Sequence, residues 1–482
     1  TSNAGKYLSL VSDSKNRASL ESNIATIIRQ FKNLNDQVLV QEFIDRPLLS
    51  GVLFTKDKNL NSPYYIINYD KSGKTNLVTS GEKNPTFRSL IIFKQHKKIP
   101  KIFKDLIVAS KNFEKIFQND RLDIEFCLKK KKTYIFQCRP LHGSSGKFEI
   151  NHLASVLINI EKKILKIKKT NPTLSGNDTL LSNMSDWNPA EMIGVKPSPL
   201  SSSLYSELIT DEVWAEQRSN YGYKDVRPNP LMLNLGGSPY IDLRVDFNSF
   251  LPAKLPLKIQ EKSINYYLNE IRRKPNLQDK IEFDIIETCY DLNSKKKLLK
   301  FLSKKEASVY LGKLRKITNN IVKKKSLVLK EELIKIKKLE DKIEVLNKSK
   351  ISEVQKTYFF IKDCKKLGTL PFAGIARCAF IATKILRSLV ANKILNENDL
   401  ENFYESIFTV TKKMNFSYQN INNINKKKKF LKTYGHLRPS TYSITSKNYY
   451  ENFNKYFSKK SKKILKNKKK FNITKEQIKK IN

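Results

Sequence analysis

The stretch that most constrains the fold is LDIEFCLKKKKTYIFQCRPL, residues 122–141. Apolar and polar residues alternate on both sides of a lysine-rich turn, which is typical of a β-hairpin. Because successive side chains of a strand point to opposite faces, Asp123 and Glu125 share one face of the first strand. Gln137 and Arg139 likewise share one face of the second strand. The stretch therefore predicts two strands, each with one polar face.

A turn centred near Lys131 fixes how the two strands pair. That register sets Glu125 opposite Gln137 and Asp123 opposite Arg139, which makes one polar face rich in oxygen atoms. The opposite face of the second strand is expected to hold Tyr134, Phe136 and Cys138. A half-solvated hairpin explains such a face. Alternation alone favours that explanation. The alternative is a magnesium nucleotide, because a hard cation prefers carboxylate and amide oxygens and a guanidinium pairs with phosphoryl oxygens.

The order of residues in this hairpin resembles a known family. Asp-Ile-Glu-Phe, a short turn and Tyr-Ile-Phe-Gln-Cys-Arg-Pro-Leu resemble the end of the ATP-grasp nucleotide domain of phosphoenolpyruvate synthase, pyruvate phosphate dikinase and their relatives. The resemblance implies that Glu125 and Gln137 hold Mg²⁺ and that Arg139 contacts phosphate as the catalytic residue. It also implies ATP as cosubstrate and places Asp123 in the nucleotide site.

Three segments before the hairpin extend the resemblance. TSNAGKYLSL, with Gly5, is similar to the small-residue lid that covers the nucleotide phosphates in this family. QVLVQEFI, residues 37–44, is a β-rich run that corresponds to the hinge strand, so the resemblance assigns the adenine edge to Gln41, Phe43 and Ile44. SGVLFTKD matches the family's Gly-Val-x-Phe-Thr strand and contains Thr55. An ordinary core strand is compatible with the hinge assignment of residues 37–44.

The expected fold class is α+β, a partial ATP-grasp domain followed by a mainly helical domain. Residues 1–145 resemble the C-terminal part of the ATP-grasp domain, whose front lobe would precede Thr1, so ATP binding is expected to be weak. Residues 146–182 form a linker and a helix, and residues 183–455 form the helical acceptor domain. The lysine-rich residues 456–482 lead toward a phosphohistidine domain, since the family's Gly-Gly-x-x-Ser-His motif is absent from the sequence.

The blocks MSDWNPAEMIG, YIDLRVDFNSF and YGHLRPSTY are similar to the central domain of phosphoenolpyruvate-synthase-like proteins, closest to the L-glutamine kinase-like branch. Polar residues in these blocks, or in the apolar helix that follows Thr369, are candidates for an acceptor site, although buried structural pairs explain them too. His436 serves either as an acid, base or phosphate donor or as a hydrogen-bonded residue of a turn. The acceptor-site candidates are Arg244, Asn248, Arg377, His436 and Arg438.

Two longer helices are predicted in the central domain. Leu329, Leu333 and Leu346 belong to an apolar stripe on a helix from about Lys325 to Asn347, which is expected to lie on the domain core. Thr369 is expected to cap a second helix that is rich in small residues.

The formal net charge of +45 makes nucleic-acid binding the first hypothesis for a chain like this. The lysines, however, are spread along the whole chain, and no recognisable nucleic-acid module accompanies them. Five cysteines without CxxC spacing indicate a reducing cytoplasm. No apolar run long enough to cross a bilayer is expected.

Three functions remain open at this stage. The first is an ATP- and Mg²⁺-dependent phosphotransferase that acts on a small molecule, with the amide of L-glutamine as one candidate acceptor. The second is a related enzyme that acts on pyruvate or on an antibiotic. The third is a basic scaffold or nucleic-acid-binding protein that retains a decayed nucleotide fold.

Overall fold

The computed structural model describes most of the chain, namely residues 8–12, 16–31, 33, 35–73, 86–142, 149–323, 327–438, 446–457 and 471–481. It divides into two compact units, Thr1–Asn159 and Ile160–Asn482. Helices account for 53% of the residues and antiparallel sheets for 12%, which makes the protein a member of the α+β class. Gly5 lies outside the described residues.

The first unit is built on a five-stranded antiparallel sheet in the order β3-β2-β1-β4-β5. Its strands are β1 (Leu49–Phe54), β2 (Tyr64–Asp70), β3 (Arg88–Phe93), β4 (Leu122–Lys129) and β5 (Lys132–Pro140). One face of the sheet packs against the helix Lys104–Ile116, which follows a 3₁₀ turn at Lys101–Phe103. Leu106 and Ile107 of that helix contact the apolar residues of β1, β2 and β4. The unit also contains the helix Arg17–Ile28.

The predicted hinge strand at residues 37–44 is not a strand in the structure. Leu39 and Val40 are exposed, and Ile44 alone within the run is buried. Both edges of β1 are already paired, with β2 on one side and β4 on the other, so the run preceding β1 has no place beside it in the sheet. The prediction relied on β-propensity, which tertiary pairing overrides.

The second unit is mainly helical, with a small sheet in the order β6-β8-β7. Its strands are β6 (Leu181–Ser182), β7 (Met232–Leu235) and β8 (Ser238–Asp242). The helix Ile150–Ile167 runs across the boundary between the units. The other α-helices are Pro189–Met192, Pro199–Tyr205, Val213–Asn220, Leu243–Ser249, Leu257–Arg273, Ser294–Leu298, Lys304–Val322, Val328–Lys348, Glu353–Asp363, Leu370–Ala391, Glu397–Ser406, Val410–Gln419, Ile424–Tyr434, Phe453–Tyr456 and Lys475–Ile481.

Three π-helical turns interrupt or join these helices, at Ser206–Thr210, Ile281–Ile285 and Cys364–Thr369. The last of them joins Glu353–Asp363 to Leu370–Ala391. Thr369 is therefore inside a continuous helical stretch, in right-handed helical conformation and without a side-chain cap bond. The predicted cap at Thr369 is wrong because helical hydrogen bonding continues through that residue.

The helix Val328–Lys348 follows the predicted stripe in part, since Ile336, Leu339 and Leu346 of the stripe are half-buried. Leu329 and Leu333 are exposed, whereas Glu332 is the buried residue of this helix. The Tyr221 hydroxyl lies 3.4 Å from Glu332 Oε1, and Lys335 Nζ lies 3.1 Å from Glu332 Oε2. Two polar partners thus compensate the buried carboxylate of Glu332.

By length and composition, one helical stretch of the described residues is apolar enough to cross a membrane, Glu353–Ala391. The sequence analysis expected no such run. The stretch contains Arg377 and Lys384, two buried cations that pair with Glu282 and Glu287 of the same unit. These partners show that one side of the stretch packs inside the second unit.

Candidate functional site

The hairpin of β4 and β5 turns at two lysines. Lys130 and Lys131 have φ values of 45° and 66°, and Lys129 pairs with Lys132. Positive φ at both central residues is the geometry of a type I′ turn, whose twist matches that of the flanking strands. Positive φ is strained for lysine, whereas glycine or asparagine would adopt it with less strain.

One residue of β5 has no partner in the pairing of β4 with β5. Phe126 pairs with Ile135 and Glu125 pairs with Gln137, so Phe136 has no partner and forms a β-bulge. The bulge shifts the register by one residue on the side away from the turn. Glu125 therefore faces Gln137 and Asp123 faces Arg139, the pairing that the sequence predicted.

The bulge also changes which β5 residues share a face. Ile135 and Cys138 pack against the apolar core beneath the sheet. Tyr134, paired with Cys127, lies on the same side as Gln137 and Arg139. The predicted face for Tyr134 is wrong because strict alternation breaks at the extra residue.

Arg139 joins the two carboxylates of the polar face. Its Nε lies 2.9 Å and its Nη2 2.8 Å from Asp123 Oδ2, whereas Nη2 is 3.8 Å from Glu125 Oε1. Charge-assisted hydrogen bonds at the shorter distances are strong, so Arg139 belongs chiefly to Asp123. Glu125 is held loosely and remains available to another partner.

Two electrostatic features mark this face. Asp123 is 8% exposed, and its Oδ1 has no hydrogen-bond partner within the described part of the chain. Burial raises the pKa of Glu125, Arg139 opposes this rise and the charge of Asp123 adds to it. An unpaired buried carboxylate oxygen is costly, and a cation beside it would remove that cost.

The same residues can be tested as ligands of Mg²⁺. No group of three or more His, Cys, Asp or Glu residues suited to a metal ion occurs in the described ranges. Asp123 and Glu125 supply two carboxylates, and Gln137, which is exposed, supplies an amide oxygen. Mg²⁺ usually takes one or two protein carboxylates and completes its shell with water and phosphate oxygens. The donor set thus fits a magnesium nucleotide better than a metal ion held by protein alone.

The sheet extends this polar face beyond the hairpin. Across β1, Val52 lies beside Glu125 and pairs on its other side with Asn68 of β2. Asn68 Oδ1 accepts a hydrogen bond of 2.8 Å from Ser89 Oγ of β3. The sequence analysis missed Asn68 and Ser89, because only the strand order shows that they share the row of Glu125.

The other predicted nucleotide residues lie apart from this row. Gln41 and Phe43 are exposed and Ile44 is buried, all three within the irregular run that precedes β1. Thr55 is buried, and its hydroxyl donates to the carbonyl of Asp120 at 2.9 Å and accepts from the backbone N–H of Leu122 at 2.7 Å. Thr55 thus fixes the start of β4 instead of facing the polar row.

Two of the predicted acceptor residues bind backbone and neighbouring polar groups. Arg244 donates to the carbonyls of Ile167 at 2.6 Å and Lys169 at 3.0 Å, at the end of a helix where carbonyls lack partners. The Asn248 amide donates to the carbonyls of Ser175 and Arg244 and its oxygen accepts from Lys224 at 2.9 Å. Both side chains hold the chain around residues 167–176 in place.

The remaining acceptor candidates come from two separate stretches of the sequence and differ in exposure. Arg377 is buried, pairs with Glu282 and lies with its guanidinium 5.1 Å from the ring centre of Phe250. His436 is exposed, and Arg438 donates to the carbonyl of Ser446 at 2.7 Å. The described contacts do not bring His436 together with Arg377 or with Arg244.

The chain was compared with known proteins. A scan against protein-family models finds no match, and a search of curated proteins finds no significant match.

Proposed function

We propose that the polar face of the β4–β5 hairpin binds a magnesium nucleotide and that the protein is an ATP-dependent phosphotransferase in the cytoplasm. The observation that carries the proposal is the register set by the bulge at Phe136. It brings Asp123, Glu125, Gln137 and Arg139 onto one face of the sheet. The resemblance to the phosphoenolpyruvate synthase-like family suggests this same set of residues, with a partial ATP-grasp domain around them.

Each residue of the face has a separate task in this proposal. Glu125 and Gln137 supply oxygen ligands to Mg²⁺, which neutralises phosphate charge when bound. Asp123 holds Arg139 by one hydrogen bond from Nε and one ion-pair contact with Nη2, and so limits its rotation. Arg139 is a third exposed, which leaves part of its guanidinium free to meet a phosphoryl oxygen. The acceptor is proposed to be a small molecule, with the amide of L-glutamine as one candidate.

The test must separate this site from general attraction of ATP to a chain of charge +45. Binding of a fluorescent ATP analogue is measured with the full chain at about 0.3 M salt, where exposed charges are largely screened. Titrations are run with Mg²⁺ and with EDTA. The difference between the two affinities measures the contribution of Mg²⁺ to binding. Nonspecific binding of the analogue to lysines does not require Mg²⁺ and does not contribute to this difference.

Glu125→Gln and Gln137→Ala are expected to reduce the metal-dependent affinity by about tenfold or more, because each removes a ligand oxygen or its charge. Asp105→Asn is the matched control, since Asp105 is an exposed carboxylate on the helix that packs on the other face of the sheet. Circular dichroism checks that all variants are folded. The proposal fails if both site variants keep the metal-dependent affinity of the wild type.

A further inference from the structure

The second unit contains a cavity whose lining is unlike the rest of the chain. Its volume is about 350 Å³. Four of its lining residues are acidic, and none of the described residues that line it is Lys, Arg or His. Lys and Arg make up 91 of the 482 residues, so a wall without either is unexpected on composition alone. The acidic residues are Asp186, Asp246, Asp279 and Glu282.

Two residues in the wall of this cavity carry unpartnered polar groups. Asp246 is fully buried and lines the cavity, and its Oδ2 has no hydrogen-bond partner within the described ranges. Ser185 is 6% exposed and also lines the cavity, and its hydroxyl has no hydrogen-bond partner among the described residues. Unsatisfied buried polar atoms are rare in proteins and costly. The wall of the cavity therefore contains polar groups that the described residues do not satisfy.

Two arginines behind the cavity neutralise part of its charge. Arg218 donates to Asp246 Oδ1 at 3.1 Å and also pairs with Asp186, and Arg377 pairs with Glu282. Their guanidinium groups lie 3.6 Å and 5.1 Å from the ring centre of Phe250. Burial, together with the charge of Asp186, raises the pKa of Asp246 and favours its neutral form. The other three carboxylates still outnumber the two arginines, so the cavity keeps an excess of negative charge.

Aromatic rings form the walls and the entrance. Trp187 and Phe372 have ring centres 6.3 Å apart, and Phe283 stacks on Phe380 at 5.5 Å. Phe372 is 59% exposed and Phe380 39% exposed, so the entrance is apolar and accessible. Outside the lining, the Arg387 guanidinium lies 4.2 Å from the ring centre of Phe283. Ring faces attract organic cations as well as apolar groups.

We propose that this cavity binds a small organic cation, an amine with an apolar body. Its ammonium group is held by the carboxylates of the lining, while its body packs on Trp187, Phe283 and Phe372. A phosphate or carboxylate ligand is disfavoured by the four acidic residues, and a bare metal ion would leave the aromatic walls without a role. This site does not depend on the proposed nucleotide site, and its test uses no nucleotide.

The test compares three probes of similar shape and different charge with the full chain, by isothermal titration calorimetry. Phenethylamine is the cation, phenethyl alcohol its neutral analogue and hydrocinnamate the anion. We expect the amine to bind at least about tenfold more tightly than the alcohol, since a charged hydrogen bond in a desolvated site is strong. Nonspecific binding to the basic surface would favour hydrocinnamate instead.

Two variants at the entrance locate the site without disturbing the buried arginine pairs. Asp279→Asn removes an exposed carboxylate, and Phe372→Ala removes an exposed ring. Both are expected to weaken amine binding about threefold or more. Glu353→Gln and Phe416→Ala are the matched controls, since both residues are exposed and neither lines the cavity. The proposal is overturned if the amine does not bind, if the alcohol or hydrocinnamate binds equally well, or if the entrance variants behave as the controls do.

Discussion

Arg139 and Asp123 face each other across β4 and β5, with two guanidinium nitrogens 2.9 Å and 2.8 Å from one carboxylate oxygen. Asp123 is nearly buried, whereas Arg139 is a third exposed. Among the residues that the structure describes, Arg139 is the cation that compensates this carboxylate. Glu125, at 3.8 Å, is too far from Arg139 to share a hydrogen bond with it.

Arg139→Met is expected to lower the free energy of unfolding by about 1–3 kcal/mol, because Asp123 is left buried without a partner. Asp123→Asn combined with Arg139→Met should recover part of that loss, since no uncompensated charge remains. Urea unfolding of the two single variants and the double variant measures the coupling. Strictly additive effects would show that the pair contributes nothing of its own.

The stability of the protein should depend on pH through Glu125. Burial raises its pKa, so the folded protein keeps this proton to a higher pH than the unfolded chain does. The contribution of Glu125 to stability is then present below about pH 4 and is lost as the pH rises through the pKa of the folded state.

The Glu125→Gln variant has no titratable group at this position, so it does not lose stability as the pH rises through the pKa of Glu125. The variant is expected to gain stability relative to the wild type when urea unfolding is repeated at increasing pH from the ordinary glutamate range to neutrality. Asp105→Asn, whose carboxylate is exposed, should show no such gain. Parallel pH profiles for Glu125→Gln and the wild type would contradict the assignment.

Thr55→Val tests the role of the buried hydroxyl at the junction of β1 and β4. The shape of the side chain is retained, but the carbonyl of Asp120 and the N–H of Leu122 each lose a hydrogen bond. The expected loss is about 1–3 kcal/mol in the free energy of unfolding. Thr133→Val, on the half-buried part of β5, serves as control and should change stability by less than about 0.5 kcal/mol.

Two helical glycines give opposite predictions for the same substitution. A Cβ on Gly374 would lie 3.0 Å from Glu332 Oε1 and closer still to the Tyr221 hydroxyl, so Gly374→Ala should destabilise by about 1–3 kcal/mol. A Cβ on Gly312 would meet no atom within 4 Å. Gly312→Ala should therefore stabilise by about 0.5–1 kcal/mol, as the higher helix propensity of alanine requires. Thermal unfolding of both variants decides whether the first site is tightly packed.

Local patterns in the sequence predicted much of the first unit. The alternation in residues 122–141 predicted the pairing of Asp123 with Arg139. The turn lies half a residue before the predicted centre, and the bulge at Phe136 compensates for the difference. Nothing in the composition of β5 marks Phe136 as the residue without a partner.

Features that depend on distant contacts could not be predicted. Asp186, Asp246 and Glu282 are separated by 36 or more residues and line one cavity only because a turn, an α-helix and a π-helical turn converge. Glu332 is buried although its neighbours Leu329 and Leu333 are exposed, since its partners Tyr221 and Lys335 satisfy it. Periodicity shows which residues share a face of a helix but not which face is covered.

The unpaired Phe136 divides the β4–β5 hairpin into a part next to the turn and a part at its base. The two parts pair in registers that differ by one residue. Loss of one residue between the Lys130–Lys131 turn and Gln137 can be absorbed by straightening the bulge, which leaves Gln137 and Arg139 opposite their partners. The tip of this ribbon is thus free to vary in length between related chains while its base keeps the same geometry. In a ladder without a bulge, loss of one residue would turn the side chains of Gln137 and Arg139 toward the face that the helix Lys104–Ile116 covers.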